Sequence, residues 1–236
     1  MSVAFLHVGV IVINTVLDIL ADERYTSYYK DLILSEGDMA TFVSCIQIIE
    51  DMIGERRRQH TLFAALTALK LNNLFKLGQC RHKIIQAAMF HDCARNFTKD
   101  ELLLLLSESN GKQNLQGNEK LQESQSVALL HGRAGALLAA RDFGISDPEI
   151  LEAIEFHTTG KPVGSAILNL IIVADTIEPS RKFHSEVPVI SDYSDFSSLL
   201  LEVVSLKIQW VVKKKHWLSP VSVDAFNYVL KSVIVS

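Results

Sequence analysis

Apolar positions recur at helical spacing along most of the chain. The pattern predicts helices over 40–53, 62–77 and 84–94, then a short leucine-rich piece after Thr98, where Thr98 and Glu101 have the spacing of a capping box. Further on, 127–143 reads as strongly helical. Asp147-Pro148-Glu149 gives an N-cap, a proline at the first helical position and an acidic first turn, opening a helix that runs to about His157. The run Thr158-Thr159-Gly160-Lys161-Pro162 stops it. Another apolar helix covers 166–177 and ends before Pro179. A polar stretch, 180–195, leads to two last helices over 196–215 and 221–233. The remaining polar segment, 107–126, carries two glycines and few apolar residues and reads as a loop. The expectation is an all-α protein of about nine helices.

The apolar stretch 3–17 is the one candidate for a membrane or export segment. It lacks a basic flank and a small-residue cleavage site. His7, Gly9 and Asn14 interrupt a run shorter than the roughly 20 residues a spanning helix needs, so it reads as a buried or docking segment. Overall, 236 residues with 48% hydrophobic and 21% charged side chains suffice for one well-buried core or two small ones. With 23 Lys and Arg against 27 Asp and Glu, the net charge of -4 offers no global field for nucleic acid or an anionic membrane. Cys45, Cys80 and Cys93 are odd in number and sit in apolar surroundings, as free thiols of a reducing cytoplasm would.

Candidate chemistry rests on eight histidines, most of which an ordinary packing role would explain. The doublet His91-Asp92 is different. It closes an apolar helix, where a buried carboxylate beside an imidazole is costly without a compensating cation or donors. A local zinc site from Cys80, His82, His91 and Cys93 has suitable residue types. On one helix, however, the two cysteines would stand roughly 20 Å apart, too far to share an ion. The better partners are polar residues embedded in other helical apolar runs: His60, His131, His157 and Asp175. Four imidazoles and two carboxylates suit a borderline transition metal, and they exceed the needs of one ion. With one carboxylate bridging, they suffice for two metals that share and activate a water.

In this order on helices, His60, His91-Asp92 and Asp175 resemble the H…HD…D signature of HD-domain phosphohydrolases, and His131 and His157 resemble the additions of the two-metal subset. The words HDCAR at 91–95, LLHGRAGA at 129–136, EAIEFHTTGKP at 152–162 and IIVADTIEPSR at 171–181 narrow the likeness to the YqeK family of bacterial HD proteins. The resemblance covers 49–233. It implies an HD-domain helical bundle that hydrolyses diadenosine tetraphosphate symmetrically to two ADP with an iron pair. Residues 49–236 would then form the catalytic domain and 1–48 an N-terminal extension of unknown role.

Carried over residue by residue, the likeness implies that His60, His91, Asp92 and Asp175 hold one metal, while His131 and His157 hold the second with Asp92 shared. Asp92 and Arg95 would be catalytic. The polyphosphate must be clamped for in-line attack, and the candidates are Arg95, Arg133, Lys161 and Arg181, together with Gly132, Thr158, Thr159 and Gly160. Each cation also reads as a surface or helix-terminal charge, and the glycines as sites of tight helix crossing. Arg95 stands where the family often has Lys, and Lys161 where it often has Arg. The expected partner is a dinucleoside polyphosphate, with no nucleic acid and no membrane; a homodimer is compatible with the sequence. Two rivals stay open: an HD hydrolase of another nucleotide, and a non-catalytic nucleotide-sensing module.

Overall fold

The computed structural model describes residues 3–109, 126–181 and 187–235. The loop expected over 107–126 falls mostly outside the described residues, as does part of the polar stretch 180–195. Among the described residues there is no strand, and eleven α-helices stand where about nine were expected. In chain order they are α1 (Val3–Ala21), α2 (Glu23–Tyr29), α3 (Glu36–Ile49), α4 (Glu55–Leu74), α5 (Arg81–Phe90), α6 (Lys99–Ser109), α7 (Val127–Arg141), α8 (Pro148–Phe156), α9 (Ala166–Ile177), α10 (Phe196–Lys213) and α11 (Pro220–Val235). The two additional helices are α1 and α2. The first is apolar on nearly every face, so it lacks the one-sided stripe by which a helix is recognised, and the second is a single short element.

Local chemistry explains most boundaries. Ser35 and Asp38 form a complete capping box at the start of α3. Thr98 and Glu101 do the same before α6, with Thr98 N donating to Glu101 Oε2 at 2.7 Å and Glu101 N to Thr98 Oγ1 at 3.3 Å. Asp147 caps α8 ahead of Pro148, and Ser165 and Asp195 cap α9 and α10. Helix α10 stops slightly before its expected end, and Lys215 takes a left-handed conformation just beyond it.

Helix α4 is the axis of the bundle. From Thr61 to Leu69 it is buried on every face, packed between α5 and α9. Helix α5 buries six residues, from Ile84 and Ile85 to Phe90, and each large side chain among them contributes about 1.5–3 kcal/mol of transfer free energy. The N-terminal helices share this core. Val12, Val16 and Ile19 of α1, Tyr29 of α2, and Phe42, Cys45, Ile46 and Ile49 of α3 belong to the same apolar cluster as α4, α5 and α9. An ion pair fastens the join: Arg81 donates to both carboxylate oxygens of the buried Asp38 at 2.9–3.1 Å and to Ile33 O at 3.0 Å. Cys45 and Cys93 are buried in apolar surroundings as expected, but Cys80 is exposed at the start of α5. No helix among the described residues is long and apolar enough to cross a membrane.

Candidate metal centre

Five helices bring their ends or one face to a common point. His60 comes from the first half of α4 and His131 from the first turns of α7. His91 and His157 are the residues at which α5 and α8 end, and Asp175 lies in the last turn of α9. Helix termination itself orients two of the imidazoles. The last carbonyls of a helix lack internal donors. His91 Nδ1 donates to Ala88 O at 2.6 Å and His157 Nδ1 to Ile154 O at 2.8 Å, so each ring keeps its proton on Nδ1 and turns Nε2 inward. His60 is set by a different device: its Nδ1 meets Glu178 Oε1 at 3.0 Å, and that buried carboxylate also accepts from Ser180 N and Ser180 Oγ. Histidine ligands are typically held in this way, with the second nitrogen bound to a carboxylate or carbonyl.

The inward nitrogens converge on two carboxylates. His60 Nε2 is 3.1 Å and His91 Nε2 3.5 Å from Asp175 Oδ1. His131 Nε2 and His157 Nε2 stand 3.0 and 3.7 Å from Asp92 Oδ1. Two groups could each hold a cation, His60 with His91 and Asp175, and His91 with Asp92 and His157. The donor chemistry fits. With Nδ1 protonated, the bare Nε2 of His91 is buried without any hydrogen-bond partner, and the Nε2 atoms of His131 and His157 face each other at 3.0 Å. Cations held in these groups would satisfy such lone pairs.

Electrostatics separates the ligands. Burial alone would raise Asp92 and Asp175, yet the histidines around Asp92, and Arg181 with His60 and His91 around Asp175, hold both well below the usual carboxylate range. Burial and the neighbouring His131 and His91 push His157 well below an ordinary imidazole. Burial would lower His60 too, but its hydrogen bonds to Asp175 and Glu178 carry it up to about 9.

A cleft of about 1170 Å³ opens over these residues. Of the expected substrate contacts, Arg95, Thr158 and Arg181 line it, with Arg95 Nη1 3.0 Å from His131 Nδ1 and Arg181 bound to Asp175. The others lie elsewhere. Lys161 pairs with Glu152 at 2.6 Å, Thr159 bonds to Gly160 O, and Arg133 interacts with Glu155. Gly160 takes a left-handed conformation against Ala225. Gly132 lets α7 cross α8 closely, since a Cβ there would come within 2.5 Å of Glu155 O. His82 bonds to Thr41 away from the centre, while His184 and the side chain of His7 are not among the described parts.

Three further residues around the centre escaped the sequence reading. Arg57 reaches Asp92 from one turn before His60 on α4, a spacing that places both on one face. Glu178 follows Asp175 by three residues and was legible only as part of a motif. Lys207 of α10 donates to His157 O at 3.0 Å, and burial lowers its pKa although Asp175 opposes this. Nothing in its local sequence marks it.

A solved structure from Clostridium acetobutylicum, described as an HD superfamily hydrolase involved in NAD metabolism, matches with a TM-score of 0.69 and 30% identity, covering 80% of this chain and 96% of that one. The fold is thus that of an HD superfamily hydrolase. The symmetrical bis(5'-nucleosyl)-tetraphosphatase of Halalkalibacterium halodurans is 31% identical over 188 residues, 78% of this chain and 95% of the relative. That of Bacillus subtilis is 28% identical, over 77% of this chain and 94% of the relative. The chain belongs to the family of symmetrical bis(5'-nucleosyl)-tetraphosphatases. No family model matches it. Nearly the whole of each relative is matched by less than four-fifths of this chain, so the remainder has no counterpart in them.

Proposed function

We propose that the chain hydrolyses diadenosine tetraphosphate and related dinucleoside polyphosphates symmetrically, giving two ADP from the parent compound. The observation that carries this reading is the joining of a converging His/Asp centre to an arginine-lined cleft of about 1170 Å³, above the usual 300–1,000 Å³ of small-molecule pockets and suited to an extended ligand. The proposed catalytic unit is 49–236, with 1–48 as an N-terminal extension. His60, His91, Asp92 and Asp175 would hold one transition-metal ion, and His131 and His157 a second with Asp92 shared, iron being the expected element. When bound, such ions polarise a water and a phosphoryl oxygen and neutralise charge at phosphorus.

The chain's own side chains supply the rest. Arg57 and Arg181 each rest against a ligating carboxylate, and a guanidinium has further donors to give; Arg57 Nε is buried with no partner. These donors and Arg95 would grip successive phosphates and keep an inner phosphorus over the centre. Glu178 holds His60 in the tautomer that presents Nε2. The reading takes in a cytoplasmic enzyme, which three free cysteines suit, and a homodimer, which light scattering on the purified protein measures.

Steady-state kinetics on a nucleotide panel tests the assignment. Diadenosine tetraphosphate should have the highest kcat/KM, and Arg57→Ala should lower it roughly thirtyfold, the effect of about 2 kcal/mol from one charge-assisted contact. Preference for a mononucleotide or a cyclic dinucleotide would refute it.

A further inference from the structure

The cleft has a wall that the family's motifs do not build. All of those motifs lie from His60 onward, yet the lining includes Asp22, Arg24 and Tyr25 at the start of α2. Helix α2 is firmly seated there. The Tyr25 ring meets Phe63 edge to face, with centroids 4.8 Å apart, and Tyr29 bonds through its hydroxyl to Thr67 Oγ1 at 2.9 Å. Phe63 itself lines the cleft about one helical turn after His60 on α4, so Tyr25 packs against a side chain next to the metal centre.

Arg24 completes the arrangement. Asp22, the N-cap of α2, holds the guanidinium in a fork: Nε lies 3.0 and 3.1 Å from the two carboxylate oxygens and Nη2 2.6 Å from one of them. Its central carbon lies 5.2 Å from the centre of the Tyr25 ring. The arginine is three-quarters exposed, so its charge is already answered while its planar face is open. What sets Arg24 apart from the arginines over the metal centre is the Tyr25 ring beside it, and a guanidinium plane next to an aromatic ring suits a flat heteroaromatic ring.

We infer that Arg24 and Tyr25 form a stacking platform for one terminal nucleobase of the substrate, so that α2 makes this chain's cleft selective for nucleoside-bearing polyphosphates over bare ones. The inference rests on the function proposed above for its substrate class, but the platform can be tested separately. A base stacked on an aromatic ring typically contributes about 1–3 kcal/mol, or roughly 5- to 150-fold in affinity, and a phosphate chain gains nothing from it.

The test is calorimetric binding of ADP and of inorganic pyrophosphate to the full-length, metal-loaded protein, its Tyr25→Leu variant, which keeps an apolar contact with Phe63, and its Tyr25→Phe variant, which keeps the ring. Wild type should bind ADP roughly tenfold more tightly than pyrophosphate. Tyr25→Leu should lose that preference with pyrophosphate affinity unchanged, and Tyr25→Phe should retain it. Equal affinities for ADP and pyrophosphate in wild type, an ADP preference that survives Tyr25→Leu, or an equal loss of both ligands in that variant would each overturn the platform. A protein that shows the expected ADP pattern yet leaves diadenosine tetraphosphate intact would retain the platform and refute only the proposed function.

Discussion

His131 Nε2 and His157 Nε2 face each other at 3.0 Å, although His157 Nδ1 donates to a backbone carbonyl and so leaves its own Nε2 as a lone pair. His131 has a choice: its Nδ1 lies 3.1 Å from Val127 O and 3.0 Å from Arg95 Nη1. With Nδ1 bonded to Val127 O, His131 Nε2 too would be a lone pair, and His131 and His157 would both be able to hold a cation. The purified protein should therefore contain about two transition-metal ions per chain, and His131→Ala about one. Metal analysis after anaerobic purification measures this. A wild type that saturates at one ion contradicts the paired centre.

Glu178 Oε1 lies 3.0 Å from His60 Nδ1 and sets the orientation of that ring. Replacing Glu178 with Ala frees the ring to rotate and leaves the metal site with one poorly oriented ligand, which typically costs 10- to 100-fold in metal affinity. Competition with a chromophoric chelator gives the number. Glu178→Gln, which can still accept a hydrogen bond through its amide oxygen, should recover part of the loss; equal affinities in wild type and both variants would show that the carboxylate only caps Ser180.

Much of this centre was legible because polar residues in apolar helices are conspicuous. His60, His91, Asp92, His131, His157 and Asp175 were all named from that signal, and they meet where five helices converge. Positions whose role depends on how helices cross were not legible. Gly132 and Thr159 stand within two residues of His131 and His157 in sequence but turn to a neighbouring helix and to the local backbone, while Lys207, far along the chain, reaches His157. Helices α1 and α2 were hidden for another reason. An almost uniformly apolar run has no periodic face, and a seven-residue helix is too short to establish one.

Gly132 offers a check on that distinction. A methyl group there meets the Glu155 carbonyl, which is backbone and yields only if α7 and α8 separate. Gly132→Ala should therefore destabilise the fold by about 1–3 kcal/mol, lowering Tm by several degrees, and should loosen the second metal. An unchanged melting curve with weakened nucleotide binding would instead make Gly132 a substrate contact.

The Asp38–Arg81 pair predicts part of the acid limb of stability. Burial would raise Asp38, but Arg81 and the Ser35 cap hold it below its ordinary value. A depressed carboxylate stabilises the fold above its unfolded pKa of about 3.9, and that contribution disappears as pH falls through the folded value. Asp38→Asn should cost about 1–3 kcal/mol at neutral pH, measured by urea unfolding. The difference from wild type should shrink below about pH 4. A difference that stays constant down to pH 2 would mean that the ion pair does not contribute.

Hydrolysis of diadenosine tetraphosphate in heavy-oxygen water reads directly where the polyphosphate is cut. Attack at an inner phosphorus held over the His/Asp centre gives ADP as the sole nucleotide product, with one label for each pair of ADP molecules formed. Mass spectrometry that finds labelled and unlabelled ADP in equal amounts, and neither AMP nor ATP, is the predicted result; AMP and ATP in equal amounts would contradict it.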